Sequence, residues 1–372
     1  MQFKCSTSDL ASAATIISKA LPSRAVPLIL NGILFKAIGK TITLTASNNE
    51  FTITKEISAQ VKIEGQVLVD GRTFAEFIKK VSCEEVEISE DSSTSDENDQ
   101  RRLKLVYNES NVLYLYCLEN NYPSIEDNIE DYDLEVSQGD FKEIIEQGSY
   151  SISTEDARPA LKGCLLETRG DNLLCVSLDG YRMAIIKCGI KEKKNDIKAL
   201  VSGKNLVEVA KVLESNEEEL EIKKSSSFFF IKKGTTKIIM RILDMDFYDY
   251  EGIIPKEFNT ELLLSKEPLE KCIERVSLMC KAGGNDCLKI NIIDNEMKVS
   301  TRTEVADITE TVKFIKTGSD LEIAFNNRFL REALSKCKDK EIKLKIISPV
   351  KPVIIVPVEG EKFKHIVLPI RL

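Results

Sequence analysis

Ser6-Thr7-Ser8-Asp9-Leu10-Ala11-Ser12-Ala13-Ala14-Thr15-Ile16-Ile17 carries one helix on its face: Leu10, Ala13, Ala14 and Ile17 stand at the spacing of a single apolar stripe, behind a Ser/Asp turn. The same template returns five times, opening at Phe74, Phe141, Leu206, Leu269 and Leu330. Five residues before each opener lies a strand-compatible residue: Cys5, Val69, Val136, Val201, Leu264 and Phe325. Turn and capping residues such as Asp70-Gly71, Ser137-Gln138-Gly139, Ser202-Gly203 and Asn326-Asn327 fill the gap. Only the third copy is blunted, by Gly148 at its last apolar place. The openers recur roughly every 60 to 67 residues, so six copies of one strand-to-helix unit are expected.

Between the helices lie short alternating runs bounded by turn residues, among them Thr41–Ala46, Leu103–Val106, Leu173–Ser177, Met297–Ser300, Thr311–Phe314 and Ile342–Ile346. Their period of two predicts half-buried strands joined as antiparallel hairpins. Each unit is thus one helix with about four strands, and the fold class is α+β. After every second unit a proline follows an aromatic or apolar residue: Tyr122-Pro123, Ile254-Pro255 and Leu368-Pro369. Proline stiffens a connector and ends regular structure, so domain boundaries are expected near residues 128 and 257, giving three similar domains of two helices each. The run from Glu90 to Asp99 is polar and acidic, and is expected to be a hairpin loop.

The charge is unevenly spread. The chain carries a net −8. The six helical segments with their lead-in corners sum to about +5, although the third alone is about −2, so the remainder carries about −13. An acidic protein has collected its basic excess on one repeated element, which suits a partner that is a polyanion held by its phosphates, without base reading. If the units are related by successive rotations, those helices face one way, and unlike ends of a three-domain chain close into a ring or propagate as a filament.

Other classes find little support. The ten cysteines contain no CxxC pair, and Cys280 and Cys287 are expected as two reduced thiols. The single His365 has no evident nucleophile partner and is expected to be structural. No phosphate-loop, dinucleotide-binding, nucleophile-elbow or zincin motif occurs, and Asp244, Asp246 and Asp249 lack the glycine and glutamate of a calcium loop. No metal or cofactor is expected. A metal-dependent enzyme and a peptide-binding scaffold unconnected with DNA remain the alternatives. No apolar run is long enough for a membrane span and the first residues lack a signal-peptide layout, so a cytoplasmic protein is expected.

The residues themselves resemble a known family. Met1-Gln2-Phe3, the segment Arg24–Thr45, Val69–Phe77, Tyr122-Pro123, Leu161–Ala184 with Leu178-Asp179-Gly180-Tyr181-Arg182-Met183, Phe247-Tyr248-Asp249-Tyr250 and the tail Leu368-Pro369-Ile370-Arg371-Leu372 are similar to the bacterial replicative sliding clamps, the β subunit of DNA polymerase III. The likeness spans essentially the whole chain. It implies three clamp domains forming half of a closed ring, a head-to-tail homodimer that encircles duplex DNA. Such a ring tethers the polymerase α subunit and other replication and repair proteins, and is loaded by an ATP-driven clamp loader. Tethering raises effective concentration without a catalytic step.

What the resemblance implies for individual residues falls into three groups. A cleft for short partner peptides would use Leu161, Leu178, Gly180, Tyr181, Arg182 and Met183, with Phe247, Tyr248 and Ile253, Asn326 and Phe329, and Val350, Pro352, Ile366, Leu368, Pro369 and Arg371. The family usually has threonine, leucine and proline where Leu178, Met183 and Tyr248 stand, which alters the cleft's shape. DNA contacts would come from Arg24, Arg72 and Lys204; charge alone adds Lys79, Lys80, Arg158, Arg328 and Arg331. Ring closure would pair Phe77, Leu113 and Leu115 with Leu278, Met279 and an edge strand at Lys298–Val305, while Phe77 fits equally well as ordinary core.

Overall fold

The six templates fold as helices: α1 (Thr7–Ile17), α2 (Gly71–Ile78), α3 (Gln138–Gly148), α4 (Gly203–Val212), α5 (Lys266–Ala282) and α6 (Asn327–Lys336). The computed structural model describes residues 1–22, 27–91, 101–119, 122–123, 131–155, 157–282 and 286–371. Expectations for Arg24, for the acidic run beyond Asp91 and for a boundary near residue 128 fall outside these. The turn residues act as caps. Asp70 Oδ1 accepts from Thr73 N at 2.8 Å, and Asn326 Oδ1 accepts from both Arg328 N and Phe329 N at 3.0 and 3.3 Å. Each such bond satisfies a helix-end amide that has no intrahelical partner.

Every template position is buried except Phe77 and Val81, which are half-buried. Gly148, the blunted place, has a packing cause. A Cβ there would lie 2.8 Å from Cys175 Sγ, so the thiol occupies the space a larger residue would need. All ten cysteines are free thiols.

The chain divides into two compact units. The first comprises Met1–Glu135, Lys211–Glu214 and Glu218–Ile242. It holds a five-stranded sheet in the order Gln60–Ile63, Gln2–Ser6, Glu85–Asp91, Arg102–Tyr107, Asn111–Tyr116. A second run of antiparallel strands follows Gly65–Asp70, Gly32–Ile38, Thr41–Ser47, Phe51–Ser58, Thr236–Arg241, Phe228–Lys233 and Glu219–Lys224. A strand near residue 240 thus completes hydrogen bonding begun near residue 50, with Ile239 opposite Thr52. Helices α1 and α2 pack on each other, and α1 covers Thr41–Ser47 and Phe51–Ser58.

The second unit comprises Val136–Ala210, Ser215–Glu217 and Leu243–Leu372. One antiparallel series runs Lys198–Ser202, Gly163–Arg169, Asn172–Leu178, Arg182–Lys193, Phe363–Val367, Val353–Pro357, Glu341–Ile346, Thr260–Ser265, Ile315–Gly318. A four-stranded sheet runs Asp307–Lys313, Glu296–Arg302, Cys287–Ile293, Leu321–Asn326, with α5 packed against it and against α6. This corrects the expectation of an edge at Lys298–Val305. Glu296–Arg302 is paired on both sides, and the edge is Asp307–Lys313, which begins four residues before the alternating run Thr311–Phe314.

Candidate functional site

The tight turn at Asp179-Gly180 joins strand Asn172–Leu178 to strand Arg182–Lys193 and organises the clearest site. Asp179 Oδ1 accepts from Tyr181 N at 2.9 Å and Arg182 N at 3.0 Å, fixing the turn from within. Gly180 has φ +96°, a conformation that costs a side-chain-bearing residue strain. The terminal segment closes against the same turn, with Leu368 N donating to Tyr181 O at 2.8 Å.

Arg182 is held from several sides. Its nearly buried guanidinium donates to Asp179 Oδ2 at 2.9 Å, to Tyr150 O at 3.2 Å and to Glu332 of α6. It also lies over the rings of Tyr150 and Phe329, 5.2 and 4.8 Å from their centroids. A charge so enclosed is tolerable only when paired and hydrogen-bonded, and here it is both. Glu332 additionally accepts from Arg328 Nε at 2.9 Å. Burial pushes the Glu332 carboxyl upward, but the hydrogen bonds from Arg328 and Arg182 outweigh it and hold the group below the usual carboxylate range. Tyr181 is half exposed and stacks on Phe329 with centroids 5.5 Å apart.

Beside this turn lies an apolar groove with about 320 Å³ of open space, lined by Leu178, Gly180, Tyr181, Arg182, Met183, Ile253, Pro352, Ile366 and Leu368. Leu161 lies in the apolar cluster beneath it, and Phe247 packs against that cluster. Tyr248 meets Phe247 edge-on at 6.5 Å, and Phe329 reaches the groove through Tyr181. Asn326 is the cap of α6, while Val350, Pro369 and Arg371 are outside the lining. The apolar lining suits a large aliphatic or aromatic side chain.

Arg158, expected from charge to meet DNA, lies close to the turn at Gly180. Its guanidinium is 3.1 Å from where a Gly180 Cβ would be, beside the groove. No motif signals this, because the contact joins segments some twenty residues apart. Tyr150 and Glu332 were likewise missed, since nothing in their local sequence marks them as partners of Arg182.

Of the other expected basic residues that the structure describes, all but Arg331 are exposed. In the first unit Arg72 donates to Pro22 O, and Lys79 and Lys80 follow directly after α2. In the second, Lys204 is exposed in the first turn of α4 and Arg328 in that of α6, with Arg331 half-buried. Among the expected closure residues, Phe77 is half-buried and meets Tyr107 edge-on at 5.4 Å. Leu113 and Leu115 are half-buried on the edge strand Asn111–Tyr116, whose Val112, Tyr114 and Tyr116 are exposed, a set the sequence reading did not single out. On α5, Leu278 is 60 % exposed and Met279 half-buried.

His365 is fully buried. Its Nδ1 is 3.2 Å from the Tyr150 hydroxyl, while Nε2 has no hydrogen-bond partner. The ring is therefore only half satisfied. Burial, reinforced by Lys336, pushes its pKa down to about 3. Asp249 Oδ1 accepts from Gly252 N at 3.3 Å, and among the described residues no group of three or more potential ligands is arranged to hold a metal. Among the same residues, no helix is long and apolar enough to cross a membrane.

Comparison with known proteins gives a consistent result along the whole chain. The DNA polymerase III beta subunit family matches in three parts: its N-terminal domain at residues 1–109, its central domain at 135–249 and its C-terminal domain at 251–371. The beta sliding clamp of Staphylococcus epidermidis is 26% identical over 363 residues, covering 95% of this chain and 94% of that protein. The Staphylococcus aureus beta sliding clamp is 27% identical over the same length and shares. A DNA polymerase III beta subunit structure from Thermotoga maritima superposes with TM-score 0.90 at 25% identity, over 100% of this chain and 99% of that one. The Bacillus subtilis DNA polymerase sliding clamp shares the fold with TM-score 0.93 at 23% identity, over the same shares of the two chains.

Proposed function

The chain belongs to the DNA polymerase III beta subunit family, the sliding clamps, and on that premise we propose that two copies close around duplex DNA and tether the polymerase through the groove at Tyr181 and Arg182. It is a processivity factor and not itself an enzyme. The observation that carries the proposal is the family match in three consecutive parts, joined to an apolar groove at the turn where the resemblance places peptide capture. Domain junctions are proposed near residues 128 and 257.

The groove's partners are proposed to be the polymerase α subunit, the clamp loader and other replication and repair proteins, each inserting leucine or phenylalanine anchors. Arg158 is proposed from its charge to meet DNA as well, and its place beside Gly180 also supports a share in the cleft. Arg24, Arg72, Lys79, Lys80, Lys204 and Arg328 are proposed to meet the phosphate backbone. Contacts of that kind are individually dispensable and permit sliding, because each adds only to a salt-sensitive, sequence-independent attraction. Phe77, Leu113, Leu115, Leu278 and Met279 are proposed to close the ring, with Asp307–Lys313 as the edge that meets Asn111–Tyr116. Two unpaired edges can satisfy each other's backbone groups, which supports that pairing. The setting is proposed to be the cytoplasm.

Topology gives the test. Protein loaded onto a nicked circular duplex is expected to stay bound through a high-salt wash and to be released when the circle is linearised. Equal loss from circle and line would refute the ring and leave a scaffold that does not encircle DNA.

A further inference from the structure

The sheet face that floors the peptide groove does not end there. Stepping by two along the strands, Met183 leads to Ile185, Ile366 to Lys364, and Pro352 to Ile354 and Val356, so these side chains share one face. At about 3.3 Å per residue, Val356 is about 13 Å from Pro352. Over that face crosses the segment 250–258, with Ile253 turned to the peptide groove and Ile254 to the far side. The far side is a second groove with about 640 Å³ of open space, floored by Ile354 and Val356 and walled by Ile254, Pro255 and Phe258.

Its rim is cationic in a chain of net charge −8. Lys343, Lys345 and Lys364 stand there against one lining carboxylate, Glu361. Lys343 and Lys345 share the single Glu261 carboxylate at 3.5 Å each, and Lys345 Nζ lies 5.5 Å from the Phe258 ring centroid. An adjoining hollow at Arg169 and Lys187 differs: Arg169 has two glutamates, Glu251 at 2.9 Å and Glu167 at 3.0 Å, and Lys187 has Glu361 at 3.0 Å, a carboxylate that Lys364 also reaches at 3.9 Å, so there the carboxylates at least match the cations. The groove at Phe258 is the one with spare positive charge over an apolar floor.

We propose that this second groove captures an acidic segment bearing one aromatic residue, flanking the anchor peptide of a partner already seated in the first groove. The aromatic ring packs on Ile354, Val356 and Phe258, and flanking carboxylates pair with Lys343 and Lys345. This rests on the peptide-capture role of the first groove. It adds a second determinant by which partners with the same anchors are ranked, since linked contacts multiply rather than add.

Fluorescence anisotropy tests it with synthetic peptides: one with two leucine or phenylalanine anchors, and the same peptide continued at either end through four Gly/Ser residues into Asp-Phe-Glu. One extended peptide is expected to bind about tenfold tighter than the anchors alone. The gain is expected to vanish in Lys343→Gln/Lys345→Gln and in Phe258→Ala, with anchor-only affinity unchanged within about twofold. No gain from either extension, or a gain surviving both variants, overturns the proposal. Methyl NMR with capped Asp-Phe-Glu alone separates the two grooves: saturable shifts at Ile254, Ile354 and Val356 support the second groove even if the anchor peptide fails to bind, and their absence overturns it. Shifts of those methyls on dilution without peptide would show a second copy of the chain covering the groove, and would also overturn it.

Discussion

His365 makes the stability of this protein a measurable function of mild acid. It is the only histidine in the chain, so between about pH 7.5 and pH 5.5 no other imidazole titrates. Its folded pKa is pushed down to about 3 by complete burial and by Lys336, against an ordinary value near 6.5 in the unfolded chain. The sign follows directly: below the unfolded pKa the unfolded state binds a proton that the folded state refuses, so stability falls as pH falls. The contribution is complete above about pH 6.5 and is lost progressively toward about pH 3. Linkage gives a loss of about 1.4 kcal/mol between about pH 7.5 and about pH 5.5. Urea unfolding at the two pH values should show the midpoint fall with the slope unchanged. His365→Gln should be nearly flat over the same interval. The single imidazole resonance should not move above about pH 5. A wild-type chain whose stability is flat across that interval, or a Gln variant that keeps the full slope, would refute the burial argument.

Two further substitutions probe packing and the cleft. Gly148→Ala forces a methyl to within 2.8 Å of Cys175 Sγ and should cost about 1–3 kcal/mol by thermal unfolding, with much of it restored by adding Cys175→Ala. Glu332→Gln removes a carboxylate shared by Arg182 and Arg328. Because Glu332 is about a third exposed, the loss should be modest, about 1 kcal/mol. Its folded pKa is depressed, so its stabilisation is present above the usual glutamate pKa, near 4.3, and fades as pH falls through the folded value. The variant should therefore lose less stability than wild type below about pH 4.3. Loosening Arg182 should also weaken anchor-peptide binding in calorimetry.

The helices were legible because each signal was local. The apolar stripe, the cap and the strand before it fall within a dozen residues, and the stripes Leu10, Ala13, Ala14, Ile17 and Leu330, Ala333, Leu334, Cys337 are buried as their spacing demanded. Strands were legible as runs but not in their partners. Nothing near Thr236–Arg241 says that it will bond to Phe51–Ser58, because antiparallel register between distant segments is fixed by tertiary packing rather than by period. The misplaced edge at Lys298–Val305 has the same origin: an alternating strand looks alike whether one neighbour or two flank it. In the cleft, the Asp179-Gly180 turn could be read, whereas the hold that Tyr150 and Glu332 exert on Arg182 depends on residues brought from either side of it in sequence. The place of Arg158 beside Gly180 could not be read either, because charge alone carries no direction.

The bond between Thr236–Arg241 and Phe51–Ser58 also sets a clock on biosynthesis. When the ribosome has finished Ser58, the far side of that strand has no neighbour, and the neighbour is not made until Arg241. At about 5–20 residues per second, the nascent chain carries an open β edge for about 10–40 s, longer than most folding steps take. During that interval the growing polypeptide has reason to be met by a chaperone, well before there is a ring to close.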